Sequence, residues 1–164
     1  MARSSPAPAA GQGYRGTVVY KLVGISYRQL DYWTRTGLVT PSIRDADGSG
    51  SQRLYSFSDL VELRIIKRLL DAGVSLRRIR EAMGYLRTQA RGKPLTDVTL
   101  MSDGKHIYAC HSGEEVIDVL SHGQAVFGIA VGRVWADTEG DVAHLPAEDR
   151  GALATPDGAA GAGP

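Results

Sequence analysis

Hydrophobic residues along this chain follow several different rhythms, and each predicts its own kind of element. Val18-Val19-Tyr20-Lys21-Leu22-Val23 makes a short apolar helix. The small-residue turn Gly24-Ile25-Ser26 then leads into a second short helix, where only Ile25, Leu30 and Leu38 are plainly available as anchors. Leu38 to Arg44 looks like a strand, 45–51 like a flexible turn, and Gln52-Arg53-Leu54-Tyr55 like a returning strand. That hairpin is too polar for a core. Next, Phe57, Leu60, Leu63, Ile66, Leu69 and Leu70 recur at helical spacing behind Ser56 and Asp59, which are spaced as a capping box. Gly73 ends this helix, and Ser75 caps another from 76 to about 90. Its apolar face is Leu76, Ile79, Met83 and Leu86, while Arg77, Arg78, Arg80 and Arg87 lie elsewhere.

From Leu95 the period shortens. Val98 to Ser102, then Asp103-Gly104, then Lys105 to Cys110 predicts a β-hairpin, because Asp-Gly suits a tight turn. Ser112 and Glu115 form another capping pattern ahead of Val116, Ile117, Val119 and Leu120 on a short helix that Gly123 closes. Ala125 to Val131 is a continuous apolar run of strand length, expected to be buried on both faces. A ββαβ unit this small sits at the lower edge of independent stability and needs a partner surface. The expected class is therefore α+β: a winged helix-turn-helix domain over 14–91, then a small ββαβ domain over 95–136 for dimerisation or effector binding. Residues 1–13 and 146–164, dominated by Ala, Gly and Pro, are expected to be disordered tails.

Charge divides the chain along the same line. Residues 1–91 carry 15 Lys and Arg against 7 Asp and Glu, a net of +8; residues 92–164 carry 4 against 11, a net of −7. Such asymmetry suggests a nucleic-acid module joined to something else. The single cysteine, Cys110, excludes an intrachain disulfide and suits a reducing cytoplasm. The first 13 residues have no apolar core, so no secretory signal is expected, and no apolar run approaches the roughly 20 residues of a membrane helix. A cytoplasmic, nucleoid-associated protein without a membrane partner is the expectation.

The helix from Ser26 to Arg35 carries the chemistry. It is poor in aliphatic residues and rich in arginine and hydrogen-bonding aromatics, which suits a surface for double-stranded DNA. Arg28 and Gln29 can reach base edges in a major groove, where Arg favours guanine and Gln adenine. Tyr27, Tyr32, Arg35, Arg53 and Tyr55 suit phosphate contacts, which position without specifying. Ser26 opens the helix, Arg44 and Arg53 flank the wing tip, and Trp33 is expected mainly in the core.

These residues resemble the MerR family of transcriptional regulators. The matching motifs are Gly24-Ile25-Ser26, Arg28, Tyr32-Trp33 and Arg35-Thr36-Gly37-Leu38, then Arg53-Leu54-Tyr55-Ser56 with Asp59, then Gly73-Val74-Ser75-Leu76-Arg77-Arg78-Ile79-Arg80. The resemblance covers about 70 residues. It implies a homodimer on inverted-repeat promoter sites, with RNA polymerase as a further partner. Spacer distortion that lets the polymerase engage and simple occlusion both remain open. The chain departs from the family in having Asp31 before the aromatic pair, which would weaken phosphate binding there, and a longer, Gly/Ser-rich wing tip. It also lacks a long heptad helix, since Gly92 and Pro94 interrupt one early, so the dimer is expected to use the helix ending near 90 and the ββαβ unit, especially Ala125 to Val131.

An excisionase-like or architectural DNA-binding accessory protein is the alternative, although it would need no acidic second domain. Metal sensors of the family use two or three cysteines. Cys110, His106, His111 and His122 do not make such a set, because neighbours in a strand face opposite ways. Neither a metal nor another cofactor is expected, and the effector is left open. Asp103, Glu114, Glu115 and Asp118 pair with no nucleophile, so no enzyme activity is expected.

Overall fold

The computed structural model describes residues 11–43, 53–89, 95–121, 127–145 and 147–149. The chain divides into two compact units, residues 1–59 with 144–164 and residues 60–143. The division falls between Asp59 and Leu60.

In the first unit, β1 (Gln12–Arg15) runs into α1 (Gly16–Val23), and α2 (Tyr27–Arg35) follows after a three-residue turn. α1 buries Val19 and Val23. Gly24 closes it at φ 79°, donating its N–H to the Tyr20 carbonyl at 3.0 Å. A side chain is strained in that left-handed geometry, so the turn needs glycine. α2 is held from below by Leu30 and Trp33, both 2% exposed.

The wing differs from expectation. Leu38–Arg44 is not a strand where it is described, and Pro41 in it cannot donate to a ladder. Its Leu38 and Val39 are core residues instead. β2 (Leu54–Tyr55) pairs antiparallel with β1, matching Tyr14 to Tyr55 and Arg15 to Leu54. A hydrogen bond from Ile43 N–H to Leu54 O, 3.3 Å, ties the two expected wing segments together. Gly13 permits this layering: a Cβ there would lie 2.9 Å from Leu54 Cβ and 3.1 Å from Ile43 Cγ1. Leu54 and Tyr55 are fully buried, so the returning segment is core after all. The wing tip, 45–51, lies outside the described residues.

Part of each expected tail is strand instead. β1 includes Gln12 and Gly13, and β6 (Glu148–Asp149) pairs with them antiparallel, giving a sheet of order β2-β1-β6.

The second unit opens within α3 (Phe57–Asp71), continues through α4 (Leu76–Gln89), and adds the strands β3 (Thr99–Ser102) and β4 (Ile107–Cys110). α5 (Gly113–Ser121), β5 (Phe127–Ala130) and α6 (Val131–Val142) complete it. α3 buries Leu60, Val61, Leu63, Ile65, Ile66 and Leu69, so it is covered around most of its circumference rather than along one stripe. A helix of that kind is the centre of its unit. The predicted ββαβ order is present as an antiparallel sheet β4-β3-β5.

Two expectations are corrected here. β5 is an edge strand whose Ile129 is buried while Gly128 and Ala130 are exposed, so it is covered on one face only. Val131 already belongs to α6, an element the sequence reading missed and which runs beyond residue 136. α6 buries Val131, Val134, Thr138 and Val142 and crosses to α3 through Arg64, which reaches Asp141 at 2.6 Å and Thr138 Oγ1 at 3.2 Å. Arg87 of α4 likewise reaches Glu62 of α3 at 2.7 Å. The sheet thus shares a unit with α3 and α4.

Candidate nucleic-acid interface

Ser26 caps α2. Its Oγ accepts from Gln29 N–H at 3.0 Å, and Gln29 Oε1 accepts from Ser26 N–H at 3.0 Å. This reciprocal pair satisfies two of the donors a helix start leaves open and fixes the angle at which α2 leaves the turn. It also occupies the Gln29 oxygen that bidentate adenine recognition would use. Gln29 is a capping residue in this geometry. The Ser-x-x-Gln spacing was the signal that could have revealed it.

With Leu30 and Trp33 turned inward, the outer face of α2 presents Arg28, Tyr32 and Arg35 within an arc of roughly 60°, and all three are exposed. Tyr27 stands beside them, 52% exposed, its ring edge-on to Tyr20 with centroids 6.1 Å apart. Among the described residues Arg28 makes no ion pair or hydrogen bond. A guanidinium with its full donor fork unspent at the start of an exposed helix can make a bidentate contact to an acceptor pair.

Arg35 and Arg53 are placed differently. Asp31 accepts from Arg35 Nε at 2.8 Å and from Arg53 Nη1 at 2.8 Å. The hydrogen bond from Arg53 outweighs the opposing effect of burial, and the charges of Arg35 and Arg53 add to it, so the Asp31 carboxyl lies below its usual range. Arg53 is only 12% exposed, so it is a strut between α2 and β2 rather than a free phosphate ligand. Arg35 remains 64% exposed and can still turn outward. Tyr55 is 1% exposed, and its hydroxyl shares a hydrogen bond of 2.9 Å with Thr34 Oγ1. Burial removes it from the phosphate-contacting set. The i,i+4 spacing could have suggested the Asp31–Arg35 pair, whereas nothing local links Asp31 to Arg53 across 22 residues. Arg44 lies outside the described residues.

Asp59 anchors the wing base. One of its oxygens accepts from Ser56 N–H, Ser42 N–H and Ser42 Oγ, each at 2.8 Å, while Asp59 N–H donates to Ser56 Oγ. The capping pattern read from Ser56 and Asp59 is therefore present, and it also fastens Ser42.

Residues 14–86 match the family described as MerR HTH family regulatory protein. This segment is a MerR-type helix-turn-helix domain. The MerR-type domain takes in α1, α2, β2, α3 and most of α4, so the capped helix with the free arginine is its second helix. An HTH-type transcriptional regulator of Mycobacterium tuberculosis, named as uncharacterized, is 54% identical over 136 residues, 83% of this chain and 60% of the relative. One of Mycobacterium bovis matches to the same extent. The chain thus spans 60% of the length of these relatives. The HTH-type transcriptional regulator HmrR of Sinorhizobium medicae is 34% identical over 71 residues, 43% of this chain and 46% of the relative. That shorter match is about the size of the MerR-type domain, whereas the mycobacterial ones are long enough to include residues beyond it.

Outside this domain, Cys110, His106 and His111 are the described residues among those considered for metal. Cys110 is buried, and burial followed by the nearby Glu115 pushes its thiol up. His106 Nδ1 pairs with Asp103 Oδ2 at 2.9 Å, and His122 lies outside the described residues. No three His, Cys, Asp or Glu side chains cluster among the described residues. Nor is any described helix long and apolar enough to cross a membrane.

Proposed function

We propose that this chain is a sequence-specific transcription regulator that binds double-stranded DNA through α2 and acts as a dimer on inverted-repeat promoter sites. One observation carries the reading: Arg28, free of ion pairs and hydrogen bonds among the described residues, on the exposed face of a helix whose start is locked by the Ser26–Gln29 cap. The regulator names of the mycobacterial relatives and of HmrR support it. Arg28 takes the role of base reader, with guanine as its preferred partner. Tyr27, Tyr32 and Arg35 flank it as phosphate contacts, and Ser26 and Gln29 set its position. Promoter sites bring RNA polymerase into the neighbourhood, and the cytoplasm, at the nucleoid, is where such a protein works.

For the dimer, α5 offers Ile117 and Leu120, large apolar side chains 64% and 52% exposed, as a face for a second copy. Two symmetric modules would read half-sites about one helical turn apart or a multiple of that.

Chromatin immunoprecipitation with sequencing tests the reading. Discrete promoter-proximal peaks sharing an inverted repeat are expected, and Arg28→Ala should weaken binding to that repeat by about 10- to 100-fold per half-site with circular dichroism unchanged. Broad coverage or attachment sites would favour an architectural accessory role. An R28A variant that binds as tightly as wild type overturns the assignment of α2.

A further inference from the structure

A cavity of about 300 Å³ lies in the second unit between α4 and the β3–β4 hairpin. Arg78, Glu81 and Tyr85 line it from α4, and Leu100, His106 and Tyr108 from the hairpin side. We propose that this cavity binds a small planar aromatic carboxylate.

The volume sits at the low end of small-molecule sites, which limits the ligand to about one ring system with its substituent. Two tyrosines border the cavity: Tyr85 is 47% exposed and Tyr108 half-buried. Aromatic faces at a cavity wall favour a flat ring over an aliphatic chain, through offset or edge-on stacking. Leu100 adds an apolar patch that is itself buried.

The charge comes from Arg78. Its backbone N–H is used by the Ser75 cap, but its guanidinium makes no ion pair or hydrogen bond among the described residues. Glu81, the acid beside it, already faces Arg77 Nε at 3.6 Å. The unspent charge at this wall is therefore positive, and a carboxylate matches the arginine fork in geometry and sign. A cationic ligand would instead meet Arg78. His106 is held in place, because Asp103 accepts from its Nδ1 at 2.9 Å and from its backbone N–H at 2.6 Å. Its ring also lies 6.4 Å from that of Tyr108, so the hairpin side of the cavity is built before a ligand arrives.

The test uses the full chain and three probes followed by ¹H–¹⁵N NMR: 4-hydroxybenzoate, 4-hydroxybenzyl alcohol with the same ring but no charge, and inorganic phosphate with charge but no ring. Saturable shifts are expected for 4-hydroxybenzoate at the Arg78, Tyr85 and Tyr108 amides. The alcohol should bind about tenfold more weakly, and phosphate should leave the tyrosine amides in place. Arg78→Gln and Tyr85→Ala should each weaken the benzoate about tenfold. Arg28→Ala should bind it as wild type does, which keeps this result separate from the DNA reading. The proposal is overturned if no saturable shift appears, if the alcohol binds as tightly as the carboxylate, or if both cavity variants bind like wild type.

Discussion

At Asp31 one carboxylate serves two cations, and the consequences reach both stability and recognition. Arg53, nearly buried, depends on it; Arg35, largely exposed, only leans on it. Removing the carboxylate's charge with Asp31→Asn takes the ion pair from Arg53 and should cost about 1–2 kcal/mol, less than a fully buried pair because Asp31 keeps some solvent. The folded carboxyl titrates below its unfolded value of about 3.9, so the pair stabilises above that pH and is lost as acid takes the solution through the folded value. Thermal midpoints of wild type should therefore fall more steeply than those of D31N between about pH 5 and about pH 3. Parallel curves would show that Asp31 does not contribute. The same unit makes Tyr55→Phe informative: losing the hydroxyl on Thr34 should cost about 1 kcal/mol and leave DNA affinity unchanged. A variant of normal stability but weakened DNA binding would return Tyr55 to the interface. Gln29 separates in the same way, since Gln29→Glu keeps the cap that Gln29→Ala removes, and only the alanine should lose about 0.5–1 kcal/mol.

Among the elements, α1 to α4 and the ββαβ order were legible because each carries a local signal: a 3.6-residue apolar period, a capping pattern or an Asp-Gly turn. α6 was not, for a physical reason. Its first residue ends a continuous apolar run that looks like strand, and its buried stripe passes through Thr138, whose hydroxyl turns back to Val134 O at 2.6 Å. Glycines at 132 and 140 further dilute the helical signal. The same helix shows how much backbone proximity matters. A Cβ on Gly132 would collide with the Thr96 carbonyl oxygen, in the short 3₁₀ turn Leu95–Asp97, and that oxygen is backbone that cannot rotate away. Gly132→Ala gains up to about 1 kcal/mol of helix propensity and should still destabilise by about 1–3 kcal/mol net. Thermal denaturation decides the sign, and a stabilised G132A would mean that α6 does not close on that turn. In the wing, β2 could be found as the segment returning from a Gly/Ser-rich turn but its partner could not, because β1 owes its role to Gly13, whose lack of a side chain leaves no hydrophobic signature.

For the whole molecule the open question is assembly, and the structure changes the grounds for it. A ββαβ unit too small to stand alone must find a second copy, but here α3, α4 and α6 share a unit with the sheet. What remains is the outer face of α5, where Ile117 and Leu120 sit three residues apart on one side of the helix and meet water. Two large aliphatic side chains at that spacing gain by burial against a symmetric copy, each by about 1.5–3 kcal/mol if fully covered. Both are exposed, so Ile117→Asp with Leu120→Asp should leave the fold and its thermal midpoint nearly unchanged. The double variant should sediment as a monomer at micromolar concentration where wild type sediments as a dimer. Its affinity for one half-site should match wild type, while affinity for the full inverted repeat should drop, since the second half-site no longer gains from a tethered neighbour. A wild-type monomer, free and on DNA alike, would remove the dimer from the proposed function. A double variant that stays dimeric would move the interface away from α5 and leave the reading of α2 intact.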